Sequence, residues 1–267
     1  MLRRFIASVL VLLVAGSIAQ AQNPKPIKAL LVIGGCCHDY NGQKDLIVEG
    51  LKQRTYIEID VAYDSDKSTS HMNPVYEQEN WYEGYDVIIH DECSSDVKDL
   101  KTIERILAPH KKGVPAVLLH CAMHSYRSEG YPEVTPWFEF SGVQSTGHGP
   151  LKPIEISFQK AASPILEGLA DWKTINEELY NNSAGKPLST ATVLAKGKQV
   201  VPTKEGERTD EAVVVWTNKY KDGTRVFATT LGHANDTVGD ARYSELVTRG
   251  LLWSCDKLNP TYMKVRK

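Results

Sequence analysis

The most constraining feature of this chain is a series of short runs of branched apolar residues, each ending in a cluster of polar, chemically competent side chains. Ile27 to Ile33 ends at Gly34-Gly35-Cys36-Cys37-His38-Asp39. Asp86 to His90 ends at Asp91-Glu92-Cys93, Val114 to His120 ends at Cys121-Ala122-Met123-His124, and Arg225 to Thr230 ends at Leu231-Gly232-His233. Runs of this length without alternation are strands buried on both faces. Between them lie helix-like spacings: Leu46, Ile47, Gly50 and Leu51 within Asp45 to Gln53, and Leu100, Ile103, Ile106 and Leu107 within Lys98 to His110. Tyr56 to Tyr63 alternates and reads as a further strand. The pattern predicts an α/β fold, a doubly wound, mostly parallel sheet flanked by helices, with right-handed crossovers.

The second half reads as strands over Pro153 to Phe158, Ala191 to Ala195, Ala212 to Thr217 and Arg225 to Thr230, and as a helix over Tyr243 to Cys255. Pro202 to Asp210 reads as a polar surface loop. Cys121 to Pro150 lacks periodicity and is rich in Gly, Pro, Ser and aromatics, which marks a functional connection rather than filler. No composition shift marks an internal boundary, so residues 22–267 are expected to form one domain. The opening residues differ: Arg3 and Arg4, an apolar run from Phe5 to Val14, and Ala19-Gln20-Ala21 follow the order of a secretory signal over 1–21. The run is too short to span a bilayer, and its removal takes the net charge from -2 to -4. The expectation is a secreted or periplasmic protein with no membrane association after cleavage, and the acidic balance argues against nucleic-acid partners.

In an open parallel sheet, ligands bind beyond the carboxyl ends of the strands. Four strand ends deliver histidine there: His38, His90, His120 (with His124 behind it) and His233. Clustered imidazoles and carboxylates suit Zn²⁺ or another divalent metal, so His38, His120 and His233 are the expected metal ligands. Glu177-Glu178 offers an inward carboxylate by alternation; Glu178 is favoured, with His120 and His148, for catalytic proton transfer. The expected substrate contacts are His38, Asp39, His124, Trp137, Tyr180 and His233, with Tyr126, Tyr131 and Phe138 around Trp137 as a platform for a sugar ring, although aromatics in an ordered loop also form cores of their own. Cys36, Cys37, Cys93 and Cys121 read either as small buried residues or as the source of one disulfide in an exported protein.

These stretches together, with Leu118 to Ser125, Ser145 to Gly149, Glu177 to Tyr180, Val226 to His233 and Arg249 to Ser254, resemble the trehalose-utilisation (ThuA-like) family from about Ile27 to Ser254. The resemblance implies a three-layer fold like class I glutamine amidotransferases and flavodoxin. Amidotransferase chemistry is not implied, because His120 stands at the nucleophile position and the glycines of a strained elbow are missing. The family's HD, strand-end His, acidic-LY and LGH motifs fall on His38-Asp39, His120, Glu177 to Tyr180 and Gly232-His233; its acidic motif usually begins with Asp, and Cys36-Cys37 is not part of its pattern. The resemblance implies a role in disaccharide catabolism through 3-keto sugars, with a small carbohydrate as partner and no nucleotide cofactor. The expected function is a metal-assisted enzyme performing isomerisation, elimination or hydrolysis; a non-catalytic carbohydrate-binding protein and a two-carboxylate glycoside hydrolase are the alternatives.

Overall fold

The computed structural model describes residues 23–128, 130, 133–160 and 163–264. The expected signal at 1–21, and Tyr131, lie outside the described residues. The strands are β1 (Ile27–Gly35), β2 (Ile57–Tyr63), β3 (Val87–Cys93), β4 (Ala116–Leu119), β5 (Lys152–Phe158), β6 (Trp172–Glu177), β7 (Ala191–Thr203), β8 (Gly206–Tyr220) and β9 (Thr224–Thr229). The helices are α1 (Tyr40–Arg54), α2 (Leu100–Lys111), α3 (Pro136–Ser141), α4 (Asn235–Val238) and α5 (Ala241–Ser254). All nine strands join one sheet in the order β2-β1-β3-β4-β9-β8-β7-β5-β6.

The α/β class holds, but the expectation of a mostly parallel sheet is corrected. From β2 to β9 the neighbours are parallel; from β9 to β6 they are antiparallel, and the longest pairing, β7 with β8, is among these. The cause is the length of the connections. Helices α1 and α2 lie between β1 and β2 and between β3 and β4, which allows parallel return, whereas β7, β8 and β9 follow one another through tight turns that can only make hairpins. The expected loop at Pro202 to Asp210 is therefore the tip of a hairpin, with Thr203 opposite Gly206 and Gln199 opposite Asp210.

Side chains alternate along β1 between two cores. Ile27, Ala29, Leu31 and Ile33 pack with Ile47 and Leu51 of α1 and with Leu246, Val247 and Leu251 of α5. Leu30 and Val32 face the other way, toward Ile103, Ile106 and Leu107 of α2 and Trp137 and Phe140 of α3. Helix starts follow their caps: the side chains of Asp39, Asp99, Thr135 and Asp240 accept backbone N–H groups of the first turns. Helix α5 runs so close to β9 that a Cβ on Gly250 would stand 2.3 Å from the Phe227 ring. Among the described residues no helix is long and apolar enough to cross a membrane.

Candidate functional site

The crossover half of the sheet delivers His38 after β1 and His120 after β4, and β9 ends four residues before the loop residue His233. The antiparallel half adds Glu178, which follows edge strand β6. One ligand atom from each of His38, His120, Glu178 and His233 lies within 4.8 Å of all the others. His38 Nε2 is 3.0 Å from His120 Nε2. Glu178 Oε2 is 3.4 Å from His120 Nε2 and 3.8 Å from His38 Nε2. Glu178 Oε1 is 3.3 Å from both His233 Nδ1 and His148 Nε2.

The imidazoles are oriented from behind. His120 Nδ1 is 2.6 Å from the Thr230 carbonyl, so Nδ1 carries the proton and donates it, and Nε2 faces the cluster. Tyr40 Oη holds His38 Nδ1 at 3.1 Å, and Tyr180 Oη lies 3.1 Å from His120 Nε2. Glu177 accepts the backbone N–H groups of His233 and Ala234, and Gln43 Nε2 donates to the carbonyls of Gly232 and His233. His120 itself has φ +46°, an uncommon left-handed conformation for a side-chain-bearing residue.

Burial, and next the neighbouring His120, push His38 down to about 4, so it is neutral near pH 7. Burial also works against charge on His120, but hydrogen bonding to Glu178 and the fields of Glu177 and Glu178 outweigh it and raise its pKa. Burial opposes ionisation of Glu178, but hydrogen bonds from His120 and His38 hold its pKa far below the usual carboxylate range. Without a metal, Glu178 and Glu177 thus favour the charged form of His120 beside a neutral His38. Asp91 is buried beneath it, and burial pushes its pKa up to about 7.

The donor set fits a divalent cation. Two ligands about 2.0–2.1 Å from one tetrahedral ion sit roughly 3.3 Å apart, close to the observed separations. His233 Nδ1 is buried and, among the described residues, makes no hydrogen bond, although Glu178 Oε1 lies 3.3 Å away. Carbonyl and hydroxyl groups behind the imidazoles are the usual outer partners of metal-bound histidine. A cavity of about 210 Å³ lined by Gly35, His38, Asp39, Tyr40, Tyr63 and Asp64 adjoins the cluster. Larger cavities of about 590 and 650 Å³ contain none of the clustered histidines; one is lined by Trp172 and Arg242, the other by Gly113 and Gly223 at the far ends of β4 and β9. Chemistry, rather than cavity size, marks the site.

Other expected residues lie elsewhere. His90 is inside β3 and points to the opposite face, where Glu92, Tyr76 and His110 bind it. Asp39 caps α1 and accepts from Asn235 instead of facing the cluster. His124 is buried, stacked on Tyr180, with Nε2 3.1 Å from Cys121 Sγ. Trp137 donates to the Ala122 carbonyl and packs against Tyr126 and Phe140, so the expected sugar platform is core. Tyr180 is buried too, a support for His120 with little surface for a ligand. Glu177 and Glu178 both point inward, contrary to simple alternation, because the chain leaves β6 between them. The cysteines form two disulfides, Cys36–Cys37 and Cys93–Cys121. Tyr40, Gln43 and Asp91 carried no distinguishing signal, whereas Glu177 stood out only as the paired acid beside Glu178.

A family model described as trehalose utilisation, ThuA, matches residues 18–254. The chain belongs to the ThuA family. Two solved ThuA-like structures resemble it in fold. One, a putative ThuA-like protein from Parabacteroides merdae, is 20% identical with a TM-score of 0.61, covering 86% of this chain and 90% of that one. The other, from Bacteroides uniformis, is 15% identical with a TM-score of 0.63, covering 88% and 94%. No curated protein matches the chain. Membership of the ThuA family places the protein in a carbohydrate-related context.

Proposed function

We propose that this ThuA protein is an exported, metal-assisted enzyme acting on a sugar or 3-keto-sugar derivative during disaccharide or glycoside breakdown. The carrying observation is the convergence of His38, His120, Glu178 and His233 within 4.8 Å from four remote chain segments. These four residues would hold Zn²⁺ or a similar ion. A divalent cation there would polarise a sugar carbonyl or lower the pKa of a water toward about 7.

The chain's own residues supply the rest. Thr230, Tyr40 and Glu177 fix the imidazoles and the His233 loop before substrate arrives. His148 is the general base: its side chain is 39% exposed at the edge of the cluster. Its Nδ1 donates to the Gly149 carbonyl at 2.8 Å, which turns Nε2 toward Glu178 and the substrate side of the cluster. A 3-keto group acidifies the adjacent C–H, and removal of that proton leads to isomerisation or elimination of the glycosidic oxygen. Glu178, expected as a base, serves better as a ligand because imidazoles engage both of its oxygens.

Metal analysis of the purified protein, then incubation with 3-keto and unmodified disaccharides followed by NMR, tests this. Expected are one bound divalent ion per chain and conversion of the keto sugar that His148→Ala slows. Sugar binding without turnover would replace the enzyme with a carbohydrate-binding protein. An N-terminus near Gln22 on the purified protein would support export; an intact Met1 would overturn it.

A further inference from the structure

We infer that the four strand-end cysteines form a thiol–disulfide relay, through which a small external thiol exchanges with a disulfide that it cannot touch. Cys37 is exposed, whereas Cys36, Cys93 and Cys121 are 6%, 4% and 2% exposed. The two disulfides meet inside: Cys36 Sγ is 3.5 Å from Cys93 Sγ. Strand pairing enforces that contact. Gly35 lies opposite Cys93 in the β1–β3 register, and the Cys36 N–H donates to the Cys93 carbonyl. Gly35 has φ +96°, and a Cβ there would stand 2.3 Å from that same carbonyl oxygen, so only glycine lets the strand ends approach this closely. Cys37 itself has φ +81°, which turns the adjacent pair so that one sulfur faces outward and the other inward. At the inner end, Cys121 Sγ lies 3.1 Å from His124 Nε2.

The exchange balances step by step. The thiolate of an external thiol attacks Cys37 Sγ; a mixed disulfide forms, the Cys36–Cys37 bond breaks, and the electron pair leaves on Cys36. Cys36 attacks Cys93 Sγ; Cys36–Cys93 forms, Cys93–Cys121 breaks, and the pair leaves on Cys121, which takes up a proton. A second external thiol attacks the outer sulfur of the mixed disulfide and frees Cys37. Two external thiols become one disulfide, and the protein gains thiols at Cys37 and Cys121 around a new Cys36–Cys93 bridge.

Purified protein treated with limiting glutathione, acid-quenched, alkylated and peptide-mapped by mass spectrometry tests the relay. The expected first product carries a Cys36–Cys93 cross-link with labels on Cys37 and Cys121. Labels on Cys36 and Cys37 with Cys93–Cys121 intact, or four free thiols before any treatment, would overturn it. In Cys36→Ser, labelling of Cys121 should slow at least about tenfold; an unchanged rate refutes the inward path. In Cys37→Ser, Cys36 should displace Cys121 without added thiol, leaving Cys121 labelled; label on Cys36 alone refutes the contact step. Should either variant misfold, the wild-type map decides.

Discussion

Glu178→Gln keeps the shape of the side chain at the centre of the cluster and removes its charge. In the metal-free protein, Glu178 Oε2 lies 3.4 Å from His120 Nε2. At an effective dielectric of about 20, a unit pair at that distance attracts by about 5 kcal/mol, equivalent to about 3–4 pH units in a titration midpoint. Glu177 and the Thr230 carbonyl still favour the imidazolium in the variant, so a smaller fall of at least about 1–2 pH units is expected. The His120 midpoint should drop from above its ordinary value to below it, because burial is then less opposed. Imidazole resonances followed by NMR across pH, with chelator present, read this directly. A second readout is zinc affinity near pH 7.5, expected to weaken by on the order of 100-fold or more, with fewer protons released because His120 is already neutral. A midpoint that stays put or rises in the variant would refute the electrostatic account of the cluster.

Three further outcomes are expected. Because the folded-state pKa of Asp91 is raised to about 7, the unfolded chain binds fewer protons between about pH 4 and 7, and stability falls as pH rises through that window. Asp91→Asn should therefore gain up to about 4 kcal/mol at pH 8 relative to pH 4; equal urea midpoint changes at both pH values would contradict this. Gly250→Ala should cost about 1–3 kcal/mol by thermal melt, since the methyl meets the Phe227 ring; an unchanged melting temperature would show that α5 stands farther from β9. Trp137→Phe should cost about 1–3 kcal/mol by removing the indole hydrogen bond to the Ala122 carbonyl, which keeps only the longer one from the Ser125 N–H, and by leaving a gap beside Tyr126 and Phe140, while leaving zinc and sugar affinity unchanged; loss of sugar affinity at wild-type stability would restore it as a ligand contact.

The parallel half of the fold, and with it His38 and His120, was legible because buried parallel strands announce themselves as unbroken apolar runs that stop where the crevice begins. Glu178 was legible from its place beside aromatics at a strand end. His90 was misleading for a simple reason: the run Asp86 to His90 continues as strand to Cys93, so His90 lies inside the sheet and the pleat turns it away. The hairpin tip at Pro202 to Asp210 hid because strands exposed on both faces have no apolar alternation. Tyr40 and Gln43 hid because α1 starts directly at the polar cluster, with an N-cap from Asp39 and no apolar stripe in its first turn. Strand direction in the second half depends on turn length, which apolar periodicity does not encode.

The cluster draws its side chains from both wings of the sheet. The His38–His120 contact closes 82 residues, and the Glu177 grip on the His233 backbone closes 56. A cation seated between them would act as a removable cross-link joining the ends of the first strand, the middle of the chain and the loop after the last strand. Ligation would then protect the whole molecule from proteolysis and heat rather than stiffen one corner, and chelation would loosen segments far from the ion.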